Sequence, residues 1–155
     1  MGFAVGNEIL IGALEKIKSY LDYGAFTPIQ VAAASALSSD PSTIAKVREV
    51  YKKRRNVLVD AMSKAGWEIP SPDATMFAWA PIPKKFKSLG SLEFSKVLLK
   101  EADISVAPGI GFGEYGENFV RIGLVENEHR IRQAARNIKA VFTNADKILS
   151  EHSPN

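Results

Sequence analysis

APGIGFGEYGENFVRIGLV, residues Ala107–Val125, decides how this chain is read. A glycine-dense loop runs straight into an apolar strand, expected over Asn118–Val125. That strand carries one charge at its centre, Arg121, among Phe119, Val120, Ile122 and Leu124. An arginine in such a strand must be paired, must reach water, or must wait for an anion. Gly111 to Gly116 (GFGEYG) matches G-x-G-x-x-G letter for letter. A dinucleotide site also needs a helix N-terminus next, so that backbone amides meet the pyrophosphate. Here a strand follows instead, so the match fails on context. The glycines read as a loop that needs positive φ or close approach of another backbone. On an alternating strand Arg121 shares a face with Phe119 and Gly123, and Gly123 leaves space beside it. Its guanidinium fork suits a carboxylate bidentately. The competing reading is a structural ion pair, with Glu126 or with a residue of another element.

Working outward, Asn127 is expected to cap a last helix with the apolar stripe Ile131, Ala134, Ala135, Ile138, Val141, Phe142, Ile148 and Leu149. Before the loop, Ile104–Ala107 reads as a short strand. Ser91 reads as the cap of a helix running to about Glu101. Met76–Pro83 reads as a strand held by aromatics, and Lys84–Gly90 as a loop. Asp40-Pro41 opens a long helix, 42–64, with the stripe Ile44, Val47, Tyr51, Leu58, Ala61, Met62 and Ala65, stopped by Gly66. From residue 42 onward the order is helix, strand, helix, strand, strand, helix. That is an α/β (α+β) layer arrangement with helices on a small sheet. Residues 1–39 differ. Met1–Val5 is strand-like without a visible partner, and a helix follows through Leu21. A second helix has Thr27 as N-cap and Pro28 as its first residue. Its body, Ile29–Leu37, is small and apolar on most sides, which predicts burial against something large. An unpartnered strand at residue one reads as a piece of a longer protein.

Composition narrows the function. The chain has 155 residues, 46% hydrophobic and 24% charged, within the range of globular proteins. A net charge of +3 is too small to argue for nucleic acid. Lys52-Lys53-Arg54-Arg55 lies on a helix, where four consecutive residues cover every face, so solvated charge with snorkelling stems is the better reading. Lys84-Lys85-Phe86-Lys87 reads as plain loop. There is no cysteine, which fits a reducing compartment and a cytoplasmic location. No apolar run reaches the length of a membrane span. His129 and His152 have no ligand spacing between them, read as surface residues, and leave no metal site expected. Ser63-Lys64 and Ser95-Lys96 fall in ordinary amphipathic helices, not in a site that would lower a lysine pKa.

Three further segments join the arginine loop: Gly2–Asn7 (GFAVGN), Ser19–Ala33 (SYLDYGAFTPIQVAA), and Pro72–Trp79 (PDATMFAW) continued by Gly90–Phe94 (GSLEF). Together, in this order, they resemble fold-type I pyridoxal-phosphate aminotransferases. The match is nearest to the alanine-type, glutamate–pyruvate branch of class I/II. The resemblance implies the fold of the small C-terminal domain of that family (residues 40–155, with the linking helix). Residues 1–39 would be a helical tail of the large cofactor domain. It implies a pyridoxal 5'-phosphate enzyme that exchanges an amino group between an amino acid, alanine by closest likeness, and 2-oxoglutarate. It also implies a homodimer. Arg121 matches the arginine that clamps the substrate α-carboxylate, and Thr27 falls where related enzymes approach the cofactor phosphate. Capping explains Thr27 equally well. The family's Schiff-base lysine, its phosphate-binding arginine and its pyridine-pairing aspartate fall before Met1. The chain by itself is therefore expected not to bind the cofactor or transaminate. The alternative is a non-catalytic folding, dimerisation or interaction module.

Overall fold

The structure is a computed structural model that describes residues 1–152, the side chain of His152 excepted. The chain divides into two units, Met1–Ile44 and Ala45–Asn155.

The first unit is two helices, α1 (Glu8–Leu21) and α2 (Thr27–Ser38). Asn7 starts α1 by accepting from the N–H groups of Ile9 and Leu10 at 3.0 and 3.3 Å. Met1–Val5 is not a strand. A strand needs a ladder partner for its backbone groups, and none pairs with it among the described residues. Thr27 is the first residue of α2 rather than its cap. Phe26 holds the cap position, and no side chain bonds the freed N–H groups there. Neither helix has a buried residue, so the expected burial of α2 is not met within these residues.

The second unit takes in nearly all of α3 (Ser42–Lys64). Asp40 helps start this helix by accepting from the Ser42 N–H and hydroxyl. Only the C-terminal half of its stripe enters the core: Leu58 and Met62 are buried, whereas Ile44 and Val47 are exposed. Gly66 ends the helix at φ +90°, a conformation that favours glycine. Strand β1 is Phe77–Pro81, β2 is the two-residue Ala107–Pro108, and β3 is Phe119–Gly123. The sheet order is β1-β3-β2, antiparallel throughout, with Trp79 and Ala107 both opposite Arg121. β2 thus lies at the end of the segment read as a strand, not along it.

One face of this sheet is core. Ala78, Ala80 and Val120 are completely buried, together with Phe94, Val97 and Leu98 of α4 (Gly90–Ala102). Trp67 sits edge-on to Phe94 and Phe142, at 5.7 and 5.9 Å between ring centres, and Phe86 packs on the same two rings. The Trp67 indole N–H donates to the Pro81 carbonyl at 2.8 Å, which satisfies its one polar atom. Phe86 explains why Lys84–Leu89 is a 3-10 turn rather than plain loop: the turn drives this ring into the core and leaves the lysines outside.

The last helix is two helices, α5 (Glu128–Thr143) and α6 (Ala145–His152). The expected stripe is buried or half-buried along its length, and Asn127 caps α5 from its side chain. The break falls at Asn144, whose side-chain amide donates to the Ala140 carbonyl at 3.1 Å, as its backbone N–H also does. Asparagine competes for backbone partners in this way and disfavours helix interiors.

The loop of Gly109–Glu117 is pinched at its base. A Cβ on Gly109 would stand 2.0 Å from the Gly116 carbonyl oxygen, and one on Gly116 would stand 2.1 Å from that of Gly109. Gly111, in the same motif, faces open space. Gly109→Ala should therefore destabilise the chain by about 1–3 kcal/mol through forced backbone displacement. Gly111→Ala should stay within about 0.5 kcal/mol of the parent. Urea unfolding midpoints at constant slope check both.

Candidate functional site

Arg121 lies on the sheet face opposite the core. Its register partner Trp79 is there, with Phe77 and Phe119 beside it on the same face. The Arg121 guanidinium carbon is 4.1 Å from the centre of the Phe77 ring and 4.4 Å from that of Phe112. Trp79 stacks on Phe119 and meets Phe112 edge-on, both at 5.6 Å. The arginine is half-buried beside two phenyl rings in an aromatic cluster that remains partly open, with Trp79 38% and Phe112 52% exposed.

No described carboxylate pairs with Arg121, and no described hydrogen bond uses its N–H groups. Glu126, the ion-pair candidate, is not a partner. A guanidinium over two rings gains cation–π attraction from both. Its N–H donors point along its plane and stay available for a planar anion. Such a site can bind and orient a carboxylate.

Helix α3 reaches the far end of this strand. Arg54 Nη1 donates to the carbonyls of Leu124 and Val125 at 3.1 and 3.0 Å. Arg55 donates to the Pro72 carbonyl at 3.3 Å, just before β1, and Lys53 Nζ lies 3.5 Å from Glu128 at the start of α5. Hydrogen bonding to backbone N–H at the helix start, and then the charges of Lys53 and Arg54, hold the Glu128 carboxyl below the usual carboxylate range. The basic run is thus solvated only at Lys52 and Lys53. Arg54 and Arg55 are half-buried ties to the segments flanking the site. A single sequence gives no sign of those carbonyl partners, because any solvent-facing or inward arginine reads alike.

The other candidates stay apart from this cluster. Thr27 is exposed and does not cap its helix. His129 is exposed, and the His152 side chain lies outside the described residues. Lys64 and Lys96 pair with Asp60 and Glu93 on the surface. Every described lysine is exposed, whereas a Schiff-base lysine needs an enclosed site. The residues described here therefore do not fit pyridoxal phosphate, and no step through it is derived. No helix among them is long and apolar enough to cross a membrane.

The second unit is thus a helix–sheet layer that carries an arginine without a described acidic partner amid aromatics. The model of the aminotransferase class I and II family matches residues 1–138, and the chain belongs to that family, whose members depend on pyridoxal phosphate. It is 67% identical to the AatC protein of Rhizobium meliloti (strain 1021) over 96% of this chain. It is 53% identical to the glutamate–pyruvate aminotransferase AlaC of Escherichia coli K12 over 99% of it. In both cases it spans 37% of the relative's length. Other relatives, at 35–41% identity, bear the name LL-diaminopimelate aminotransferase. Among solved structures, substrate-bound BacF from Bacillus subtilis superposes with a TM-score of 0.78 at 34% identity, over 88% of this chain and 35% of that one. The expected fold, helices on a small sheet of the aminotransferase type, is the one observed.

The ties from α3 carry a testable cost. Arg54→Gln should lower stability by about 1–2 kcal/mol, since two carbonyls lose a charged donor while part-exposed to water. Lys52→Gln should leave stability within about 0.5 kcal/mol of the parent. Thermal or urea denaturation of the two variants side by side decides this.

Proposed function

We propose that this chain is the carboxylate-holding C-terminal part of a pyridoxal-phosphate aminotransferase that moves an amino group between alanine and 2-oxoglutarate. One observation carries the reading: Arg121 is half-buried, close over two phenyl rings, and without an acidic partner among the described residues. Its fork would fix the α-carboxylate of an amino acid and of a 2-oxo acid in turn. A two-point hold sets the orientation of the Cα substituents, which a lysine point charge sets less well. Residues 1–39 would be the tail of the large domain, with Thr27 near the cofactor phosphate. Residues 40–155 would be the linking helix and small domain of a cytoplasmic homodimer. The preference for alanine leans on the likeness to AlaC, against relatives named for diaminopimelate.

In the complete enzyme, Arg121→Lys should lower kcat/KM for alanine and 2-oxoglutarate about 10- to 100-fold, the loss of one or two charge-assisted hydrogen bonds. The visible spectrum of the bound cofactor should not change. Loss of cofactor binding would give Arg121 a different role. Activity higher with LL-diaminopimelate than with alanine would replace the substrate but keep the site. The 155-residue chain mixed with pyridoxal phosphate should show neither turnover nor a lysine-bound cofactor band.

A second reading rests on the helices of the first unit, where Ile9, Leu10, Ile17, Leu21, Ile29 and Val31 are all exposed. An apolar surface of this kind promotes association. By itself the chain should self-associate, with sedimentation showing dimers or larger species at high concentration. A clean monomer there removes this reading.

A further inference from the structure

The glycine loop between β2 and β3 does more than turn the chain. Ser91, in the first turn of α4, is completely buried and holds both ends of that loop. Its hydroxyl accepts from the Ile110 N–H at 3.0 Å and donates to Glu117 Oε2 at 2.9 Å. The other carboxylate oxygen of Glu117, Oε1, accepts from the Ser91 N–H at 3.0 Å, one of the helix-start donors that lack an intrahelical acceptor. Gly90 leaves room for this oxygen, since a Cβ there would stand 2.2 Å from it. Gly109 and Gly116 close the same base by direct backbone contact. The segment between these anchors carries Phe112, whose ring lies under the Arg121 guanidinium carbon at 4.4 Å and meets Trp79 edge-on.

We propose that Ser91 and Glu117 are positioning residues for carboxylate binding: they latch the 109–117 loop to α4 and so hold Phe112 against the Arg121 guanidinium. Neither residue touches the arginine. Their effect passes through a loop whose exposed part would otherwise be free to swing, since Phe112 is half out of the protein and Tyr115 fully so. A closed loop keeps the Phe112 ring beside the guanidinium together with that of Phe77. The uncovered N–H donors are then left for a ligand, and a carboxylate engages two of them at once. An open loop removes one ring and lets the side chain rotate. The inference deepens the carboxylate reading of Arg121, and rests on it only for the ligand.

The test reads the arginine directly in the 155-residue chain. Ring currents from two flanking phenyl groups shift the Arg121 Nε–Hε NMR signal upfield, and the signal is assigned by its loss in Arg121→Lys. Phe112→Ala should move it part of the way toward ordinary arginines and so calibrates the loss of one ring. Ser91→Ala should move it in the same direction. Glu117→Gln, which keeps an acceptor for the Ser91 N–H, should move it less than Glu117→Ala. The Trp67 indole N–H signal, reporting the core bond to Pro81, should stay in place throughout. In the complete enzyme Ser91→Ala should raise KM for both the amino acid and the 2-oxo acid about 3- to 10-fold with kcat nearly kept, the size of one lost hydrogen bond. An Arg121 signal unmoved by Ser91→Ala and Glu117→Gln, with the Trp67 signal intact, overturns the latch. Should Glu117→Ala lose the Trp67 signal, the Ser91→Ala and Glu117→Gln results decide alone. A latch that holds in the chain while Arg121→Lys leaves substrate kinetics untouched would sink the carboxylate reading and spare the latch.

Discussion

Everything at the candidate site depends on the alternation of β3, the middle strand of its sheet. Val120 and Arg121 are neighbours in sequence and must point to opposite faces. The core claims Val120, which is completely buried, so Arg121 must go to the other face. A slip of one residue would drive the guanidinium into the core that Phe94, Val97 and Leu98 of α4 fill. That error would strand a charge in an apolar core, at a cost far above the worth of any contact it could make there. The strand register and the arginine's position are therefore one constraint, enforced by desolvation.

The layers beneath give that constraint a firm footing. β1 lies antiparallel beside β3, and its last carbonyl, on Pro81, receives the Trp67 indole N–H. Trp67 in turn is wedged between Phe94 of α4 and Phe142 of α5 in edge-on contacts. At the other end of β3, Arg54 holds two successive carbonyls just past the strand. β3 is thus supported along its buried face and anchored beyond its C-terminal end. The aromatic cluster on its outer face sits on a backbone with little freedom to shift.

Much of this could be read from residue order alone, and the parts that could not share a cause. Helical period and caps placed α3 over its observed residues, and the Asn127 cap and the buried stripe of α5 are where the pattern puts them. Alternation put Arg121 on the face of Phe119 and Gly123. The readings that failed were those requiring a distant partner. Met1–Val5 has strand composition, but a strand exists only with a ladder. Ser91 has the composition of a cap, yet the helix starts one residue earlier. The Ser91 hydroxyl serves a loop 19 residues away, while Glu117 supplies the capping oxygen from that loop. Arg54 and Arg55 looked like solvated charge because their acceptors are backbone carbonyls, which every residue has. The rings around Arg121 were half visible. Phe77 lies on a strand that its aromatics marked, but Phe112 depends on a loop path set by the Gly109–Gly116 contact.

Aromatic neighbours rather than an acidic one are what the proposed carboxylate-holding role of Arg121 asks for. A resident carboxylate would neutralise the guanidinium and occupy its in-plane donors. An incoming anion would then have to displace a paired group already in place, losing much of the energy it gains. Phenyl rings stabilise the charge through their own faces, by roughly 0.5–2 kcal/mol each according to how far the contact is desolvated. They leave the edge donors untouched. Burial between rings also lowers the local dielectric, which strengthens whatever ion pair forms there later. This strategy works only if the rings stay put, because a ring that swings away returns part of the cation to water and releases its orientation. Phe77 is fixed by the strand that bears it. Phe112 has no strand to fix it, so the burden falls on the base of its loop, where two glycine backbones touch and one buried hydroxyl ties both ends to a helix.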